Sequence, residues 1–245
     1  MNFPVCFVVS NFAQGVPATL NKVVTINGTS VLDPYPSWEW NDYSRPEGLR
    51  FVQSMEIDMQ GRMWIIDVGR LNFFDDDAET VNGPARLLVY DLVANKTVRD
   101  FIFPSSIVPW DSNFLNDIVL DQHRGYAYIT DHSDPGAIIV YSYADNMARR
   151  WENGPGMAVE PAAVPVVING NTYDFILGTV NGIALSPDTN WLYYCPLTGY
   201  NITKISTKIL MNLEYNKSVL DVHAIAQGSK ISYTDGMAFD SRGNM

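Results

Sequence analysis

Four polar residues recur at near-regular spacing, and each opens a stretch of the same character. They are Gln53, Asn116, Asn181 and Asp235, separated by 63, 65 and 54 residues. Three amides and one carboxylate form a set of oxygen donors with no nucleophile among them. Such a set can hydrogen-bond a polar ligand. It can also offer oxygens to a hard cation such as Ca²⁺, whose affinity rises with the charge of its ligands. The same residue types cap strand ends and bond loop backbone. Strand capping, lining of a small-ligand cavity and ligation of a metal therefore stand side by side as roles for these four positions.

The remaining chemistry-bearing residues suit bland roles. Asp58, Asp121 and Asp240 each sit before a Gly in a short polar run, which marks them as turn formers. His123, His132 and His223 show no ligand spacing, and His123 falls in a turn and is expected to be exposed. The sequence has no G-x-S-x-G elbow, no glycine-rich phosphate loop and no H-E-x-x-H motif. The acidic run Asp75-Asp-Asp77 reads as a solvated loop. Trp38, Trp40 and Tyr43 follow Pro34 and Pro36 and are expected to pack in the core or between blades rather than form a ligand cage. Two cysteines, Cys6 and Cys195, are too few for a disulfide scaffold. They read as buried thiols, with a single bridge as the alternative.

The four polar positions are placed by a repeated hairpin. From each of them a short apolar strand runs to a tight turn of Asp or Ser, with Gly or Asn where a positive φ is expected. An aromatic-rich strand then returns. The copies begin at Gln53, Asn116, Asn181 and Asp235, and the fourth stops at Met245. A second hairpin is expected over 85–103, with counterpart strands at 137–143 and 202–206. Thr207 to Tyr215 has room for a helical turn or two. Two hairpins per repeat make four-stranded sheets, the blades of a β-propeller. The fold class expected is all-β.

Composition narrows the function classes. The chain has 245 residues, a net charge of −11 and a pI near 4.5, so it lacks the Lys and Arg that phosphate neutralisation requires, and a nucleic-acid partner is excluded. Hydrophobic residues make up 47% and charged residues 18%, which suits a folded core rather than disorder. No apolar run reaches the length of a membrane-spanning helix. The apolar run Val5 to Val9 is short, lacks basic residues before it and is interrupted upstream by Pro4, so it reads as a strand rather than a secretion signal. Four N-glycosylation sequons begin at Asn27, Asn95, Asn201 and Asn216 and tilt the reading towards secretion.

Four stretches together resemble the yellow and major royal jelly protein family. They are Gly15-Val-Pro-Ala-Thr-Leu20; Ser54-Met-Glu-Ile-Asp-Met-Gln-Gly-Arg-Met-Trp-Ile-Ile-Asp-Val-Gly69; Leu115-Asn-Asp-Ile-Val-Leu-Asp121 with Arg124-Gly-Tyr-Ala-Tyr-Ile-Thr-Asp131; and Gly182-Ile-Ala-Leu-Ser-Pro-Asp188 with Leu192-Tyr-Tyr-Cys-Pro-Leu197. The resemblance implies a six-bladed propeller, secreted and glycosylated, of which residues 1–245 would be an incomplete domain covering roughly the first four to five blades. It implies a missing signal peptide and missing final blades. The segment 75–84 has none of the cysteines usual in insect members.

The four polar positions also look like the metal set of the senescence-marker and gluconolactonase propellers, where a Glu, two Asn and an Asp bind a divalent ion. Asn116, Asn181 and Asp235 match that set, and Gln53 stands where the Glu belongs. The missing charge implies weak Ca²⁺ binding at most. The expectation is a secreted protein that binds a small ligand, such as an aromatic or biogenic amine, in a central cavity without catalysis. The alternative is an enzyme, either a dopachrome-type conversion of pigment metabolism or a metal-assisted lactone or ester hydrolase. Oligomeric state is open.

Overall fold

The computed structural model describes residues 6–8, 15–72, 79–173 and 178–245. The chain divides into two compact units, Met1–Asn113 and Phe114–Met245. In the first, strands β1 (Cys6–Val8), β2 (Leu20–Ile26) and β3 (Thr29–Pro34) pair antiparallel in that order. A four-stranded sheet follows, built from β4 (Val52–Ile57), β5 (Arg62–Asp67), β6 (Arg86–Asp91) and β7 (Lys96–Ile102). The second unit holds two such sheets. One is β8 (Leu115–Asp121), β9 (Tyr126–Asp131), β10 (Ala137–Ser142) and β11 (Met147–Glu152). After the short hairpin β12 (Val166–Ile168) and β13 (Asn171–Tyr173) comes the other, β14 (Val180–Leu185), β15 (Trp191–Pro196), β16 (Asn201–Ser206) and β17 (Ile225–Ser229). Two short helices, α1 (Thr207–Leu210) and α2 (Lys217–His223), separate β16 from β17. The fold is all-β, with the four-stranded antiparallel blades of a β-propeller.

The expected strand near the N-terminus is β1, and the helical turn expected after residue 207 is α1. The acidic run 75–77 lies outside the described residues. The turn aspartates behave as their types predict. Asp58 donates its N–H to the Arg62 carbonyl at 2.9 Å and accepts from Gly61 N–H at 2.9 Å, while its Oδ1 takes the N–H groups of Gln60 and Arg62. Asp240 repeats the same four bonds with Asn244, Gly243 and Arg242. The positive φ falls on Gly61, Gly125 and Gly243, which have no Cβ to clash there. In the third copy it falls on Thr189 at φ 58°, not on Asn190 as the sequence suggests.

The fourth copy forms this turn but no strand among the described residues. Its apolar residues are spent on the preceding blade. Met237 Sδ lies 3.6 Å from Cys195 Sγ, and Phe239 meets the Tyr193 ring edge-on at 5.0 Å.

The middle strands β6 and β10 are buried on both faces, which explains their unbroken apolar runs. In the second unit, Tyr128, Ile138, Val140 and Trp151 of one blade pack against Val180, Ile183, Leu192, Tyr194 and Ile205 of the next. Each such side chain contributes about 1.5–3 kcal/mol on burial. Trp151 also donates Nε1–H to Asp221 at 2.9 Å, which ties α2 to the blade.

Aspartate at the end of a second strand fixes the blade entry. Asp67 accepts from the N–H groups of Arg50, Phe51 and Gly69, and Arg86 lies 3.6 Å away. Asp131 accepts from Phe114 N–H, from Ser133 N–H and hydroxyl, and from Arg150 at 2.7 Å. Burial opposes the Arg150 charge, but Asp131 and Glu152 more than offset it and raise its pKa. In the third blade Pro196 stands in the place of these aspartates.

Trp38 and Tyr43 depart from the expectation of core packing. They are 60% and 56% exposed, because the 3-10 turn Glu39–Asn41 buries Asn41 and turns the flanking aromatics outward. Trp40 alone packs as expected, edge-on to Tyr90 at 6.2 Å.

Candidate functional site

The opening polar residues of the first three copies, Gln53, Asn116 and Asn181, each sit on a β-bulge. The register slips by one residue between Val52 and Ser54, between Leu115 and Ile118, and between Val180 and Ile183. The extra residue falls at Gln53, at Asn116–Asp117 and at Asn181–Gly182. A bulge re-aims a side chain that plain alternation would send along the pleat. At each of these positions the bulge interrupts the two-residue period of the strand around it.

Gln53 lies half-buried in the first unit, and the other three residues lie in the second. There β14 packs on β8 and β9. Asn116 Nδ2 donates to Asn181 Oδ1 at 2.9 Å across 65 residues of sequence. Behind this amide pair runs a second link. Asp117 N–H donates to Thr130 Oγ1 at 3.1 Å, and that hydroxyl donates to the Asn181 carbonyl at 3.1 Å. Thr130 thereby satisfies the backbone N–H that the bulge leaves out of the ladder. In the next blade the Cys195 sulfur lies beside the bulge, close to Gly182.

Asp235 approaches the same bulge. A Cβ on Gly182 would lie 3.0 Å from the Asp235 carbonyl oxygen and 3.2 Å from Cys195 Sγ, so a side chain there would crowd both. The Asp235 side chain is exposed, and its carboxylate acts electrostatically on His132.

His132 is a member of this site that ligand spacing does not reveal. It is buried, with Nδ1 3.3 Å from the Val180 carbonyl and its ring edge-on to Phe114 at 5.6 Å. Burial pushes its pKa below the ordinary histidine value, against the opposing pull of the carbonyl bond and of Asp235 and Asp131. It is therefore neutral near pH 7. A signal was present in the sequence. The N–H groups of Val68, His132 and Leu197 make the same bond, to Phe51, Phe114 and Thr179, and only the second blade places a polar ring there. His123 and His223 are exposed, as expected for His123.

Cys195 is a free, buried thiol. Burial raises its pKa, and Lys230 Nζ at 3.4 Å only partly counters this, so it is a poor nucleophile. The Cys6 side chain lies outside the described residues. Among the described residues no three His, Cys, Asp or Glu side chains are grouped to hold a metal ion. The resemblance to a divalent-metal set can be weighed against the donors themselves. Asn181 Oδ1 already accepts from Asn116, which leaves one carboxylate and partly engaged amides. Ca²⁺ takes six to eight oxygens and gains affinity with ligand charge. This set does not fit a tight divalent site. The arrangement offers a neutral imidazole, two linked amides and one carboxylate, which suit a polar ligand carrying a cationic group.

The sequons are accessible. Asn27 and Asn95 sit in hairpin turns at positive φ, Asn201 opens β16, and Asn216 caps α2 by accepting from Val219 N–H at 3.2 Å. All four are exposed. Among the described residues no helix is long and apolar enough to cross a membrane.

Comparison with known proteins follows the same architecture. Solved structures with similar folds include a chain of hydrazine synthase from Kuenenia stuttgartiensis (TM-score 0.54, 13% identity, covering 91% of this chain and 59% of that one). A chain of a nidogen/laminin complex matches with TM-score 0.55 at 10% identity, covering 98% and 67%. At these identities the likeness concerns the fold alone. Among curated relatives, major royal jelly protein 8 of Apis mellifera is 29% identical over 220 residues, covering 85% of this chain and 51% of the relative. Major royal jelly protein 5 of Apis mellifera is 29% identical over 241 residues, covering 92% and 39%. The chain thus spans about half, or less, of the length of these relatives. The family model described as "Major royal jelly protein" matches residues 52–245. With four fifths of its length inside that model, the chain belongs to the major royal jelly protein family.

Proposed function

We propose that this chain is part of a secreted, glycosylated propeller protein that binds a small ligand, such as an aromatic or biogenic amine, without catalysis. The observation that carries the reading is the Asn116–Asn181 amide pair, held on two neighbouring bulges. An amide pair with a carboxylate beside it recognises an ammonium group through charge and a hydroxyl or indole N–H through the amide oxygens. Burial raises the pKa of Cys195, the thiol beside the second of these bulges, which disfavours its thiolate. Gln53, on the equivalent bulge of the first unit, is proposed as a ligand-contacting residue of that unit.

Calorimetry tests the reading. The protein titrated with a panel that includes serotonin and dopamine should show saturable binding of at least one amine. No binding across the panel would remove the proposal. The hydrolase reading rests on Asn116, Asn181 and Asp235 matching a known metal set. It requires Ca²⁺-dependent turnover of a model lactone and a rise in melting temperature with Ca²⁺. Absence of both would eliminate it.

Secretion and glycosylation have a separate check. Expressed behind a secretion signal in a eukaryotic host, the chain should lose mass on endoglycosidase treatment. Asn→Gln changes at 27, 95, 201 and 216 should remove that loss stepwise. A chain that leaves the cell with no sugar would contradict this part of the reading.

A further inference from the structure

We propose that the open cleft beside the 3-10 turn of the first unit is a binding site for a small organic ammonium ion, separate from the amide pair. The cleft has a volume of about 460 Å³ and is walled by Pro17, Trp38 and Tyr43, with Glu39 and Asp42 on its rim. Two features set it apart from ordinary surface. The first is the pair of large aromatic rings left in water at 60% and 56% exposure, while Trp64 and Trp151 are buried. The second is charge: the lining carries two acidic side chains, Glu39 and Asp42, and among the described residues no basic side chain lines it. Arg45 stands outside, 3.8 Å from Glu39 and engaged with Glu47. The Ser44 hydroxyl and N–H both donate to the Asp42 carboxylate, which keeps it ionised.

The floor is rigid. Asn41 is buried, accepts from Leu20 N–H at 2.9 Å, and donates to the carbonyls of Tyr35 and Ser37. Trp40 carbonyl accepts from Leu49 N–H at 2.7 Å. The turn that presents the aromatics is therefore formed before any ligand arrives.

These properties select one ligand chemistry. The faces of tryptophan and tyrosine attract cations, and quaternary ammonium groups are bound in this way. Carboxylates on the rim reject anions. The space is far larger than a bare metal ion needs and suits a cation with an apolar body. An organic ammonium ion meets all three conditions.

The test uses choline as probe and 3,3-dimethylbutan-1-ol as its neutral isostere, each titrated into the chain by calorimetry. The expected result is saturable choline binding with none for the alcohol. Trp38→Ala should weaken choline about tenfold, and the double change Glu39→Gln with Asp42→Asn should weaken it further. Trp38 and Tyr43 are exposed, so unchanged melting temperatures would show that the variants fold. No saturable choline binding would overturn the proposal. So would equal binding of the alcohol, or choline binding that Trp38→Ala leaves intact.

Discussion

At the residue scale, local bonding and burial decide what each polar side chain does: the turn aspartates hold the backbone that follows them, and burial keeps the pKa of His132 below its ordinary value. Asp58 and Asp240 were readable as turn formers because an aspartate before glycine bonds its own following backbone, and they make matching sets of bonds. His132 has no neighbour at ligand spacing, and only the comparison of blades, where the second carries a polar ring, marks it in the sequence. Its surroundings come from the packing of β14 on β8 and β9, which a one-dimensional pattern does not encode. His132 gives a pH prediction. Its folded pKa lies below the unfolded value of about 6.5. The unfolded chain therefore binds more protons in that window, so stability is full above pH 6.5 and falls as pH drops through the folded pKa. Urea denaturation between pH 5 and 7.5 should show this decline, and His132→Gln should flatten it. A slope unaltered by the substitution would contradict the assignment.

At the element scale, the hairpins were legible because apolar runs bounded by Asp, Gly and Asn specify strand, turn and strand. The bulges were invisible, because inserting one residue leaves composition and apolar count unchanged. The outward turn of Trp38 was missed for a related reason. Its aromatic character suggests burial, but Asn41 claims the buried position with three hydrogen bonds. The fourth copy showed the sequence of a hairpin and formed only its turn, because Met237 and Phe239 find partners on the preceding blade. The strand-end aspartates supply the prediction at this scale. Asp131→Ala leaves Arg150 without its buried partner and strands the donors of Phe114 and Ser133. The cost should be about 3–5 kcal/mol, read as a lower denaturation midpoint. A loss under about 1 kcal/mol would mean that the aspartate does not fix the blade entry.

At the scale of the whole molecule, the repeat spacing carried the fold further than composition did. A length of 245 residues and a charge of −11 name no architecture. Four polar positions about 60 residues apart point to blades, and the sheets β4–β7, β8–β11 and β14–β17 are those blades. The ligand was not legible, because linked amides accept many polar groups. If the amides on the bulges are the binding surface, removing one of them must cost affinity. The decisive experiment is calorimetric titration of the tightest amine of the panel into the wild-type chain and into Asn181→Leu, with melting temperatures recorded for both. At least a tenfold loss of affinity is expected in a variant that still melts cooperatively. Unchanged affinity in that folded variant would contradict that role of the amides.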